Sequence, residues 1–149
     1  MDIKDFKHIT DVRVRTYDVD SQGIVHNMNY LKYYETGRVE YRRNFGHNIN
    51  REGIFDDGLK VVVVRNEIDY LSFAFLDDLL KVYTAVSWIK KSSFCFEQII
   101  TKENSTEIIS KAKGILVNLD ENNLPSPISK KFIEEITTFE IKLKILSNE

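Results

Sequence analysis

The stretch YDVDSQGIVHNMNYLKYYETGRVEYRRNFG, Tyr17–Gly46, changes character halfway along. Its first part is a polar knot with Asp18, Asp20, a lone Gly23, His26, Asn27 and Asn29. From about Met28 a helical period takes over. Tyr30, Tyr33, Tyr34, Gly37, Tyr41 and Phe45 recur at three- and four-residue steps, while Lys32, Glu35, Arg38 and Arg42 fall largely to the other side. The spacing predicts an amphipathic helix of roughly 16 residues, stopped near Gly46 as helices often are at glycine.

What flanks this helix has a different period. Upstream, ITDVRVRT (residues 9–16) alternates Val with Arg and reads as a half-exposed strand. Downstream, after the polar loop HNINREGIFDDG, three segments alternate. In KVVVVRNEIDYLS the set Val62, Val64, Asn66, Ile68, Tyr70 opposes Val61, Val63, Arg65, Glu67, Asp69; in LLKVYTAVSWIKK the set Leu80, Val82, Thr84, Val86, Trp88 forms a face; in SSFCFEQIITKE Phe94, Phe96 and Ile100 do. EIISKAKGILVNL supplies a fourth strand, whose Gly114 marks a bulge or a close backbone approach. The short polar turns DD, KKSS and ENST between them imply antiparallel pairing. A short helix is expected from about Ser129. The fold class is therefore α+β: one long helix and an antiparallel sheet that must either wrap it or find a partner surface.

At 149 residues the chain is one domain, residues 1–149, and can bury roughly 68–70% of its unfolded surface. The composition, 42% hydrophobic and 30% charged with 2 Pro and 6 Gly, is that of a globular protein without a long linker. A net charge of −2 argues against a broad nucleic-acid surface, which needs clustered Lys and Arg in excess. The start MDIKDFKHITDV lacks an apolar h-region, and no run of about 18 apolar residues occurs, so no signal peptide or membrane span is expected and the cytoplasm is the default compartment. The single cysteine, Cys95, excludes an intrachain disulfide and reads as a small buried hydrophobe. His8 and His47 stand alone in polar contexts and suggest no chemistry.

The polar knot carries the chemistry. Backbone N–H groups at a helix start lack intrahelical partners, and the summed peptide dipoles place partial positive charge there. Near Asn27 such a donor could hold an oxyanion developing on a carbonyl under attack. Gly23 permits a sharp turn, and Asp20, seven residues before Asn27, can fold its carboxylate across the helix start as nucleophile or general base. Acyl transfer suits that arrangement. Residue types alone equally allow Asp18 or Asp20 to cap a turn, Asn27 or Asn29 to cap the helix, and His26 to be structural.

Tyr17–Gly46 resembles the signature of the hotdog-fold acyl-CoA thioesterases of the 4-hydroxybenzoyl-CoA thioesterase type: Asp-x-Asp-x-x-Gly-hydrophobic-Val, a polar pair, x-x-Tyr, an aromatic helix, then Gly/Ala-Arg-x-Glu. The likeness continues into YLSFAFLDDLLKVYTAVSWIKKSSFCFEQII, with its Asp-x-Leu turn and the Ser-Phe that opens the next strand. The resemblance implies a hotdog fold, an antiparallel sheet wrapped round its helix, and hydrolysis of acyl-CoA to free acid and CoA without metal or redox cofactor. It implies Asp20 as the catalytic carboxylate and Asn27 N–H as the donor to the thioester carbonyl. Some relatives carry a histidine at the position of Asn27, whereas here the histidine stands one step earlier, and His26 is kept beside Asp20 and Asn27 as a candidate catalytic residue. Gly23, Asn29 and Tyr30 are expected around the substrate, Lys90, Lys91 and Ser92 at the CoA phosphates, and Arg65 in a strand that lines a neighbouring subunit's site. A homo-oligomer, dimer or tetramer, is implied, because the family site lies between subunits. Rival readings are an acyl-CoA sensor that binds without cleaving, or a hotdog enzyme acting on acyl carrier protein thioesters.

Overall fold

The computed structural model describes residues 1–147. β1 (His8–Arg13) precedes the long helix α1 (Asn29–Arg43); β2 (Val61–Tyr70), β3 (Leu79–Ile89), β4 (Ser93–Lys102) and β5 (Ile108–Asn118) follow, then α2 (Lys130–Phe139) and a short β6 (Lys144–Ile145). The strand order is β1-β3-β4-β5-β2 with every neighbour antiparallel, and β6 runs parallel to the far end of β3. This is the hotdog arrangement the sequence resemblance implies. The helix at residue 130 and its Ser129 cap, whose hydroxyl accepts from Phe132 N–H, match the expectation from sequence. β6 was not visible there, being too short to show a period.

α1 lies on one face of the sheet because its aromatic stripe is buried: Tyr30, Tyr33, Tyr34 and Tyr41 all sit in the core. One half of the core joins the first three tyrosines to Leu80, Val82, Ile100 and Ile109; the other joins Tyr41 to Val86, Phe94, Phe96 and, from α2, Phe132 and Ile136. Between the halves the helix must come close to the strands. A Cβ at Gly37 would lie 2.7 Å from Thr84 Oγ1 and 2.8 Å from Val82 Cγ1, so only glycine fits there.

The same region holds the largest departure from the helical-wheel reading. Arg38, expected on the polar side, is only 5% exposed. Its Nε donates to Gln98 Oε1 (2.9 Å) and its Nη2 to Asn66 Oδ1 (3.0 Å), with the Phe96 ring 5.9 Å from Cζ. Gln98 in turn donates to Tyr34 O and Thr84 Oγ1. Burial lowers the affinity of Arg38 for its proton. Gly114 is the close approach expected in β5: a Cβ there would stand 2.2 Å from Arg38 Nη2. Arg42 is also withdrawn from solvent, held by both oxygens of Asp57 at 2.8 and 2.9 Å.

Two bulges correct the strand faces. In β2 the register slips between Val63 and Arg65, so Val61 and Val63 face α1 before the slip and Asn66, Ile68 and Tyr70 after it. In β3 a slip between Val86 and Trp88 puts Ile89, not Trp88, into the core. The half-buried Glu140 holds this second bulge, accepting from Val86 N–H (2.8 Å) and from Tyr41 Oη (2.5 Å), and partial burial pushes its carboxyl above the ordinary range. His47 is likewise not isolated. It is buried, with Nε2 3.0 Å from Glu135 of α2 and Nδ1 3.4 Å from Asp56, tying the α1–β2 loop to α2. Cys95 is buried, as expected. Among the described residues no helix is long and apolar enough to cross a membrane.

Candidate active site

The loop before α1 is shaped by two aspartates with opposite fates. Asp18 is buried and tied down: one carboxylate oxygen, Oδ2, accepts from both Arg15 N–H and Tyr33 Oη, and its carbonyl from His26 N–H and Asn29 Nδ2. Burial and this carboxylate together push the Tyr33 phenol far above its ordinary range. Asp18 is thus the post from which the loop hangs. Asp20 is exposed. One oxygen, Oδ1, accepts from Gln22 N–H at 2.8 Å in an Asx turn. Its other oxygen has no partner among the described residues.

Gly23 closes that turn at φ +78°, a left-handed conformation that glycine adopts without strain, and donates to Asp20 O. The chain beyond it is stitched to residues 74–76: Val25 N–H donates to Ala74 O, Leu76 N–H to Gly23 O, and Ile24 bridges Phe75. These bonds aim residues 26–28 into the first turn of α1.

The two peptide planes at residue 27 account for four polar groups, and three are occupied. His26 O accepts from Asn29 N–H at 2.9 Å. Asn27 O accepts from Tyr70 Oη at 3.3 Å and, weakly, from Tyr30 N–H at 3.4 Å. Met28 N–H donates to His26 Nδ1 at 3.2 Å. The fourth, Asn27 N–H, has no partner among the described residues. It therefore stands at the positive end of a 15-residue helix with its donor unused.

A cleft of about 440 Å³ opens here, lined by Asp20, Ile24, Val25, His26, Asn27, Tyr30, Tyr70, Leu71, Ser72 and Phe73. Its polar groups gather at the loop and helix start, and its walls are aliphatic and aromatic. Tyr30 packs edge-on against Tyr70, ring centroids 5.4 Å apart, and burial raises its phenol above the ordinary range. Leu71 and Phe73 of its wall, and Phe75 and Leu76 just beyond it, stay largely exposed. An acyl group would find apolar contact here, with its carbonyl end toward a free N–H and a free carboxylate oxygen.

Of the residues selected from sequence, the structure brings Asp20, His26, Asn27 and Tyr30 together in this cleft. It does not bring the others. Gly23 shapes the loop without lining the cleft. Asn29 is buried and its amide is bound to Asp18 O, which holds the loop against the helix start. Arg65 projects from the face of β2 opposite Ile68, where it pairs with Glu67. Lys90, Lys91 and Ser92 form the β3–β4 turn at the other end of the sheet, with Lys90 Nζ 5.3 Å from the Trp88 ring. Since β3 has 11 residues, that turn lies roughly 35 Å from the cleft within one subunit. Sequence reasoning missed Tyr70, Leu71 and Phe73 as lining residues. The apolar run LSFAF in a turn-rich segment was the available signal.

Comparison with known proteins bears on what this cleft does. The family model described as the thioesterase-like superfamily matches residues 14–136. A Haemophilus influenzae protein named acyl-CoA thioesterase YbgC is 37% identical over 102 residues, covering 68% of this chain and 72% of the relative. An Arabidopsis thaliana chloroplastic protein, acyl-acyl carrier protein thioesterase ATL3, is 30% identical over 130 residues, 85% of this chain and 67% of the relative. Among solved structures, a Thermus thermophilus thioesterase complexed with coenzyme A and Zn superposes with a TM-score of 0.77 at 29% identity, over 91% of this chain and 96% of that one.

Proposed function

The chain belongs to the thioesterase-like superfamily, and on that premise we propose that it hydrolyses acyl-CoA thioesters to a free carboxylic acid and CoA. The observation that carries this reading is the pairing, in one apolar-walled cleft, of the unused Asn27 N–H at the α1 start with the unengaged carboxylate oxygen of Asp20. The thioester carbonyl accepts from Asn27 N–H, which stabilises the negative charge that builds on its oxygen; one such donor is typically worth about 10²–10³ in rate. The free oxygen of Asp20 either attacks the carbonyl carbon or takes a proton from an attacking water. In the first case the C–S bond breaks to give a mixed anhydride and CoA thiolate, and water then cleaves the anhydride to restore Asp20. In the second, water adds, the C–S bond breaks and Asp20 returns its proton. Either way the leaving thiol has an ordinary pKa near 8.5 and departs without a strong acid.

The working unit is a dimer that pairs along β2. That strand is an open edge among the described residues, with Val62, Val63 and Val64 exposed along it. A two-fold axis through an antiparallel β2 pair carries the Lys90–Ser92 turn of the second copy toward the cleft of the first, which answers the roughly 35 Å gap within one subunit. Phosphates of the CoA nucleotide would meet Lys90, Lys91 and Ser92 there. Release of thiol from a panel of acyl-CoA esters, and from matching acyl carrier protein thioesters, tests the reaction and its carrier. Asp20→Asn should lower kcat by orders of magnitude with fold and oligomer intact; equal, slow turnover of every thioester by wild type and variant sinks the assignment.

A further inference from the structure

The thioester hydrolysis proposed for Asp20 and Asn27 N–H leaves His26 without a task. The histidine lines the cleft beside Asp20 and Asn27, yet it is exposed, and its Nδ1 is committed to the backbone, accepting Met28 N–H at 3.2 Å. A nitrogen that accepts a hydrogen bond carries no proton, so the neutral ring places its one N–H on Nε2. That fixes the tautomer from local geometry. It also removes the ordinary role of a catalytic imidazole, since neither nitrogen remains a base: Nδ1 is occupied and Nε2 is protonated.

The Met28 contact has a second effect. No side chain caps α1 from its N-cap position, residue 28. The imidazole does that work from two residues back, in the manner of an Asx turn built with a histidine. By taking Met28 N–H it leaves Asn27 N–H as the donor that the helix start presents to the cleft.

Resting on the thioesterase reading, we propose that His26 is a substrate-contacting hydrogen-bond donor: held by Met28 N–H as the Nε2–H tautomer, it donates Nε2–H to the thioester and works as the second donor beside Asn27 N–H. Electrostatic catalysis depends on donors fixed before the reaction begins, and a ring pinned at one edge has its other edge oriented. No proton is transferred at His26 in any step. The carboxylate chemistry stays with Asp20.

Two amide substitutions separate the halves of this role. In His26→Asn the side-chain oxygen falls near the place of Nδ1 and can still accept Met28 N–H, but no donor reaches the place of Nε2. In His26→Gln the longer amide can set an N–H near the place of Nε2 while giving up the short-range cap. With an acyl-CoA that wild type turns over, His26→Asn should lose about 10²-fold in kcat with little change in KM, and His26→Gln should retain more kcat than His26→Asn. If His26→Asn keeps at least as much kcat as His26→Gln, the ring only caps the helix and the donor role is overturned. The second readout needs no turnover: ¹⁵N spectra of histidine-labelled protein at mildly alkaline pH should show His26 protonated at Nε2 and bare at Nδ1, and a proton on Nδ1 overturns the proposal. Asp20→Asn in the same assay isolates the premise. If it matches wild type, or if wild type cleaves no thioester, the thioesterase mechanism has failed; if Asp20→Asn is dead while His26→Asn is unimpaired, only the role of His26 has.

Discussion

Gly114→Ala puts the buried guanidinium to a quantitative test. The added methyl would lie 2.2 Å from Arg38 Nη2, 2.6 Å from Cζ and 2.9 Å from Nη1, so the side chain must move. The end of an arginine is normally free to yield, but Arg38 is only 5% exposed and fixed by Gln98 Oε1 and Asn66 Oδ1. Moving it breaks both bonds, and hydrogen bonds to a charged group contribute about 1.5–3 kcal/mol each. The expected cost is therefore about 3–6 kcal/mol, a large part of the roughly 5–15 kcal/mol that holds a domain folded. Arg38→Met removes the obstacle. On its own it should cost about 1–3 kcal/mol, because it strands the 1%-exposed Gln98, offset by relief of a buried charge. On that background Gly114→Ala should be within about 0.5 kcal/mol of neutral, since residue 114 has no positive φ to forbid alanine. Urea unfolding of all four proteins at one fixed concentration yields a coupling energy of about 3–6 kcal/mol. A Gly114→Ala penalty under 1 kcal/mol, or the same penalty in both backgrounds, would refute the argument.

Three further outcomes are expected. Because burial raises the Glu140 carboxyl, deprotonating it costs the folded state more than the unfolded one, so its contribution is full below the ordinary carboxylate range and is lost as pH rises through the raised folded value; Glu140→Gln should gain stability relative to wild type toward neutral pH, read as Tm against pH, and a gain toward acid instead would reverse the sign. Lys90→Ala with Lys91→Ala should raise KM for CoA esters while sparing acyl-N-acetylcysteamine, and equal effects on both substrates would remove the phosphate role. Val64→Lys places a charge on the exposed β2 edge and should drive dimers toward monomers in sedimentation velocity; an unchanged assembly would move the interface elsewhere.

The long helix and the strands could be read from the chain because their signals are local: a tyrosine stripe at helical spacing and alternation over ten or so residues. What escaped was set by contacts far apart in sequence. Arg38 sits where a helical wheel puts a solvent-facing charge, and only Gly114, 76 positions on, with Gln98 and Asn66, makes a buried place for it. The β2 and β3 bulges are one-residue slips against partner strands, which no single-strand pattern records. At the cleft, Asp20 and Asn27 were legible because loop and helix start are contiguous. The opposite wall, Tyr70 to Phe73, comes from a strand that reaches the helix only through the sheet.

These two kinds of information meet in the β2 slip. Without the extra residue near Val64, the alternation would carry Asp69 rather than Tyr70 to the helix side, setting an anionic side chain where the Asn27 carbonyl now accepts a phenol. The bond from Arg38 to Asn66 falls just after the slip and fastens the strand in its new phase. The buried arginine, the bulge and Tyr70 thus form one path from the middle of α1 to its first turn. It follows that Arg38→Met should lower kcat for thioester cleavage as well as stability, through a loosened Tyr70. The decisive comparison is with Tyr70→Phe. Loss of that hydroxyl removes one neutral hydrogen bond of about 0.5–1.5 kcal/mol, or roughly 2- to 12-fold in kcat, and in the Arg38→Met background the further loss should be smaller. Full additivity in kcat would mean that the two residues act apart and that the slip serves the sheet alone.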